Sequence, residues 1–179
     1  NMSFNLEPNF IFWGRIGAEK GLDRALIIFS KVAKFYKNAS FVIIGPDGGE
    51  LENIKFFSKE LGVFDRVQFY NAMAIDEIYT FAKNASFYIQ TSKFEGMALS
   101  VVEAMQMGLV PVVTPVGEIF SYCNEDNAII VHSNDEAVRD ILLVLESRQD
   151  FESKSNNANL TWLKTDSYEE SFFKECNNV

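Results

Sequence analysis

Short apolar runs recur along the chain at 10–14 (FIFWG), 41–45 (FVIIG), 66–70 (RVQFY), 86–91 (SFYIQT), 110–114 (VPVVT) and 128–132 (AIIVH), each bounded by turn formers. Their length and their content of β-branched and aromatic residues predict strands. Between them, 22–36 (LDRALIIFSKVAKFY), 50–62 (ELENIKFFSKELG), 75–84 (IDEIYTFAKN) and 97–108 (MALSVVEAMQMG) space apolar residues three and four apart with charges opposite, which predicts amphipathic helices. Strands apolar on both faces that alternate with helices imply a parallel sheet with right-handed crossovers. The predicted fold class is α/β, a doubly wound parallel sheet of about six strands.

The 179 residues fit one domain by length, and 47% hydrophobic residues with 17 Phe supply a sizeable core. No internal repeat or low-complexity stretch interrupts it. Residues 1–9 (NMSFNLEPN) read as a linker, 10–150 as the domain and 151–179 as a tail. Within the tail, the polar stretch 153–161 (SKSNNANLT) reads as a separator, and the end, 166–179, as a short docking helix anchored by Tyr168, Phe172 and Phe173.

The formal net charge of -9 argues against a nucleic-acid partner and against an anionic membrane surface, both of which call for clustered Lys and Arg. Any phosphate must therefore be held locally. Cys123 and Cys176 stand far apart without a CxxC or Cys/His cluster, so neither a zinc site nor a disulfide framework is expected. With no charged-then-apolar leader and no apolar run of membrane-spanning length, the expected location is cytoplasmic. The sequons at Asn38, Asn84 and Asn159 then read as chance matches.

In open sheets of this kind ligands sit beyond the carboxyl ends of the strands. Three loops leave those ends with suggestive content: Gly14-Arg15-Ile16-Gly17-Ala18-Glu19-Lys20-Gly21, Gly45-Pro46-Asp47-Gly48-Gly49, and Thr91-Ser92-Lys93-Phe94-Glu95-Gly96-Met97. The second lacks the Lys-Ser/Thr ending of a P-loop and reads as a tight turn. In the third, Glu95 precedes a helix expected to begin near Met97, and Glu103 follows two turns inside it on nearly the same face. At roughly 1.5 Å per residue the two carboxylates lie about 12 Å apart, too far for a glycosidase pair or for one shared metal ion. The spacing suits two polyols bridged by a diphosphate. Free amides of Gly96, Met97 and Ala98 would attract a phosphate between the carboxylates, and Arg15 and Lys20 would neutralise it. Two polyols joined by a diphosphate describe a nucleotide sugar.

The segments FWGRIGAEKGLDRAL, FVIIGPDGGELENIK, DRVQFYNAM and SKFEGMALSVVEAMQMGLVPVVTPVGEI together resemble the carboxyl-terminal, donor-binding domain of retaining GT-B glycosyltransferases of the group 1 type, over residues 10–145. The likeness rests on GR-x4-KG, E-x7-E and the EAM-x2-G-x2-PVV continuation. It implies a Rossmann-like half of a GT-B fold that takes a UDP-, GDP- or ADP-linked sugar as donor substrate, with no cofactor and no metal. By this resemblance Glu95 would hold the donor sugar hydroxyls and Glu103 the ribose hydroxyls. Arg15 and Lys20 would hold the diphosphate, Gly14 and the amides of Gly96, Met97, Ala98 and Leu99 would line the donor, and the backbone near Met73 would meet the base edge. Arg15, Lys20 and Glu95 would form the catalytic set. The resemblance also implies an amino-terminal acceptor domain that nothing in this chain matches, so the isolated domain is expected to be inactive. After the fifth strand, PVGEIFSYC departs from the family pattern, and Gly117 and Glu118 match it only loosely.

Plainer readings stand beside these. Glu103 alone would be a solvated helix position, Glu95 a favourable charge at a helix start, and Arg15 and Lys20 surface cations. His132, the single histidine, has no nearby nucleophile or carboxylate pattern and reads as structural or surface; Trp13 is the aromatic least clearly assigned to the core. Two other functions share the pattern: half of a GT-B-type nucleotide-sugar epimerase, which should carry additional acid/base groups, and a non-enzymatic nucleotide-binding module.

Overall fold

The computed structural model describes residues 6–163. Tyr168, Phe172, Phe173 and Cys176 lie outside the described residues. Six strands form one parallel sheet: β1 (Asn9–Trp13), β2 (Ser40–Ile44), β3 (Val67–Tyr70), β4 (Phe87–Gln90), β5 (Val110–Val113) and β6 (Ile129–Ile130), in the order β3-β2-β1-β4-β5-β6. Each falls on a run picked out by its apolar content, with ends shifted by no more than two residues. The helices are α1 (Leu22–Val32), α2 (Leu51–Glu60), α3 (Ile75–Ala82), α4 (Leu99–Gln106), α5 (Ile119–Tyr122), α6 (Asn134–Glu146) and α7 (Arg148–Leu163).

Right-handed crossovers put α1 and α2 on one face and α4 on the other, because the chain runs outward from β1 in one direction and outward from β4 in the other. α1 packs against α2 and α6, and α4 against α7. Phe10, Phe29, Phe41 and Phe87 build the core beneath α1, with Phe10 lying 5.7 Å from Phe29 and 5.2 Å from Phe87, centroid to centroid. These rings prefer edge-on and offset contacts, and each side chain is fully buried. Burial also pushes the Cys123 thiol up to about 12, which keeps it protonated and inert.

Pro111 sits inside β5, which has neighbours on both sides. It is tolerated because Val110 donates toward the β4 side, to Ser86, so the alternating position 111 faces β6, and the β6 ladder begins only opposite Val112. No ladder bond is lost there.

The polar stretch 153–161 is not a separator: it is the middle of α7. Its polar side chains are spent on carbonyls that end other elements. Ser155 Oγ donates to Gly108 O at 2.5 Å, Asn159 Nδ2 to Gln106 O at 2.6 Å, and Lys154 Nζ to the carbonyls of Glu125 and Ala128. Ala158 is fully buried, and Phe151 meets the Phe87 ring edge at 5.9 Å. A helix stabilised by such tertiary bonds does not show an apolar stripe in sequence.

Two phenylalanines near α1 separate core from surface. Phe29 lies within 5.7 Å of two rings, whereas Phe35 is 69% exposed. Phe29→Ala is expected to cost about 3–5 kcal/mol and Phe35→Ala less than about 0.5 kcal/mol, as read by urea denaturation.

Candidate functional site

Between β1 and β4 the strand order reverses, and the loops leaving these neighbours diverge to opposite faces. A crevice at the carboxyl edge follows from that topology, and it is where open α/β sheets place ligands. The β1 loop continues through a 3-10 turn, Ala18–Lys20, into α1; the β4 loop runs from Thr91 to Ala98 and enters α4. They are tied together by Lys93 N donating to Glu19 O at 2.8 Å and Thr91 Oγ1 donating to Gly21 O at 2.6 Å. The Gly45–Gly49 loop braces the first from behind: Ile16 N donates to Pro46 O, and Gly48 N to Ile16 O. Asp47 closes that turn by accepting from the amides of Leu51 and Gly49, which holds its carboxyl below its usual range.

Lys20 and Glu95, 75 positions apart, meet directly: Lys20 Nζ donates to Glu95 Oε1 at 2.7 Å. The Glu95 side chain is only 8% exposed, so its charge needs partners. The same Oε1 accepts from Gln90 Nε2 at 2.8 Å and from Ser92 Oγ at 2.6 Å. Among the described residues no hydrogen bond to Oε2 is recorded. Glu103 is held in a similar way, with Oε2 accepting from Trp13 Nε1 at 2.8 Å. Trp13 itself is buried at the end of β1 with its ring 4.5 Å from that of Tyr88, so the ambiguous tryptophan is both core and a brace for a carboxylate.

The mouth of α4 departs from the sequence expectation. The helix begins at Leu99 and not near Met97, because Ala98 adopts φ 54° in the left-handed region. Among the described residues it is the one non-glycine with positive φ, a strain of about 1–3 kcal/mol that clusters at functional sites. Tyr122 Oη pins the turn by donating to Met97 O. The amides of Gly96, Met97, Ala98 and Leu99 donate to no acceptor among the described residues.

Arg15, 61% exposed, pairs with Glu19 at 2.6 Å and touches neither Glu95 nor Glu103 through a hydrogen bond. Met73 follows β3, two strands from β1, or about 10 Å along the sheet at the usual spacing. It is half-buried against the core. His132 is exposed just past β6, its carbonyl held by Arg24. Sequence reasoning missed Gln90, Ser92, Tyr88 and Ser100. The available signal was Gln90, a polar residue closing an otherwise apolar run next to the switch point.

A wide concavity of about 680 Å³ lies elsewhere, between β6, α6 and α7. Its walls carry Glu125, Asp126, Glu136, Asp140 and Asp150 against Arg139 and Lys154, a net negative lining that disfavours a phosphate. No helix among the described residues is long and apolar enough to cross a membrane.

The family model for glycosyl transferases group 1 matches residues 3–161. A GDP-mannose:cellobiosyl-diphosphopolyprenol alpha-mannosyltransferase of Xanthomonas oryzae is 24% identical over 149 residues, covering 80% of this chain and 39% of that protein. The chain thus spans well under half the length of this relative. Its fold matches Staphylococcus aureus TarM, solved with UDP, at TM-score 0.84 and 18% identity, covering 99% of this chain and 36% of that one. It also matches the C-terminal domain of a group 1 family glycosyl transferase, LpcC, from Francisella tularensis, at TM-score 0.78 and 18% identity, covering 90% of this chain and 87% of that one.

Gly117, left open by its loose match to the family pattern, has a steric reason to be glycine. At φ 57° a Cβ there would lie 2.0 Å from Glu95 O and 2.7 Å from Gly96 O. The next residue completes the contact, Glu118 N donating to Gly96 O at 3.0 Å. Gly49 has φ 99° with nothing near its Cβ direction. Gly49→Ala should cost only its backbone strain, about 1–2 kcal/mol, and Gly117→Ala at least about 1 kcal/mol more, measured by thermal melting.

Proposed function

The chain belongs to the glycosyl transferases group 1 family, and from that premise we propose that it is the donor-binding half of an enzyme that moves a sugar from a nucleotide sugar to an acceptor hydroxyl with retention of configuration. The observation that carries this reading is the Lys20–Glu95 contact at the switch point, which sets a phosphate-seeking cation beside a hydroxyl-seeking carboxylate. UDP or a GDP-linked sugar is named for the two similar proteins TarM and the Xanthomonas mannosyltransferase, and supports a nucleotide diphosphate here.

In this reading the donor's diphosphate lies over the amides of Gly96 to Leu99 and draws Lys20 and Arg15 to it. Arg15 reaches it by exchanging its exposed pair with Glu19, a contact that costs little to give up. As the bond between the anomeric carbon and the diphosphate breaks, the bonding pair leaves with the nucleotide. The two cations offset that growing charge, and the acceptor hydroxyl oxygen forms the new bond to the anomeric carbon while its proton passes to the departing diphosphate oxygen. Glu95 orients the sugar through its hydroxyls, and Glu103 the ribose. The acceptor site belongs to an amino-terminal domain, which leaves this chain inactive alone.

Calorimetric titration of the chain with UDP, GDP and ADP tests this. Saturable binding of one is expected, and no binding of any would contradict it. Glu103→Ala should weaken the bound nucleotide about 10–100-fold. Lys20→Ala should weaken the diphosphate by more than the corresponding nucleoside, and equal losses would remove Lys20 from the phosphates.

A further inference from the structure

Glu95 Oε1 has three donors, and they differ in what donor binding would do to them. Lys20 is the cation that a diphosphate recruits, so the charged partner of Glu95 is the one that leaves. The carboxylate is 8% exposed and would then depend on its neutral donors, Gln90 Nε2 at 2.8 Å and Ser92 Oγ at 2.6 Å. Ser92 sits in the loop, whereas Gln90 is the last residue of β4 and fully buried. Its amide cannot turn freely. Tyr88 Oη donates to Gln90 Oε1 at 2.5 Å, and Ser100 Oγ, on the first turn of α4, donates to the same oxygen at 3.0 Å. With Oε1 occupied on that side, Nε2 must face the carboxylate. Burial raises the Tyr88 phenol well above its ordinary range, so it stays a donor throughout.

We propose that Gln90 is a positioning residue: fixed by Tyr88 and Ser100, it clamps Glu95 Oε1 when Lys20 turns to the diphosphate, so that Oε2 stays aimed at the hydroxyls of the donor sugar. The inference rests on the donor-binding reading and deepens it. Gln90 acts on the sugar and not on the nucleotide, so its effect falls on one part of the ligand. That separates it from a residue that merely holds the fold.

The test compares each nucleotide sugar with its own nucleoside diphosphate, using UDP-glucose against UDP, GDP-mannose against GDP and ADP-glucose against ADP. The affinity gained from the sugar should fall about tenfold in Gln90→Leu while the affinity for the diphosphate alone is kept. Tyr88→Phe combined with Ser100→Ala leaves Gln90 in place but frees its amide, and should reproduce part of the loss. An unchanged sugar gain in Gln90→Leu, or equal loss for both ligands, would overturn the positioning role. Glu95→Ala, measured alongside, separates this from the reading beneath it. If Glu95→Ala keeps the sugar gain, the sugar role of Glu95 falls and the inference with it; if it loses the gain while Gln90→Leu keeps it, only the positioning role falls.

Discussion

The reversal of strand order between β1 and β4 is the constraint on which the rest depends. Right-handed crossovers force the two chains leaving these strands to opposite faces, so α1 and α4 diverge from the carboxyl edge between them. Two loops from distant parts of the sequence are left facing each other. Their contents then decide the chemistry: one brings Arg15 and Lys20, the other Glu95 and the mouth of α4. The pairing of Lys20 with Glu95 is the direct expression of that topology.

Around this edge the fold uses rigid parts to hold polar ones. Trp13 ends β1 and braces Glu103; Gln90 ends β4 and braces Glu95. Both braces belong to buried strands, which keeps each carboxylate in place with one oxygen bound by the protein. The strained Ala98 and the close approach of Gly117 to the Glu95 carbonyl shape the turn between the carboxylates. On the donor-binding proposal an acidic chain holds a diphosphate through local attraction alone: a few cations and amides at one edge, within a short screening distance.

The sheet was legible in the sequence because both-face burial leaves continuous apolar runs, and all six appear in the structure. The candidate loops were legible because their place after strands is fixed by the fold class. Other features were not. α7 hides behind polar residues such as Ser155 and Asn159, whose partners are carbonyls of Gly108 and Gln106 in another part of the chain. The start of α4 was read two residues early, since nothing local marks Ala98 as left-handed. The donors to Glu95 come from strand, loop and 3-10 turn, and only the folded chain assembles them. Met73 was legible through resemblance alone: its loop follows β3, two strands from β1, and no local residue pattern marks it.

Hydrogen–deuterium exchange of the chain, with and without the tightest binder among UDP, GDP and ADP, tests the placement of the donor most directly. Protection is expected in the β1 loop, residues 14–21, and from the β4 loop into α4, residues 91–103. Protection instead along the acidic concavity between β6, α6 and α7, with those two segments unchanged, would contradict a donor site at the switch point.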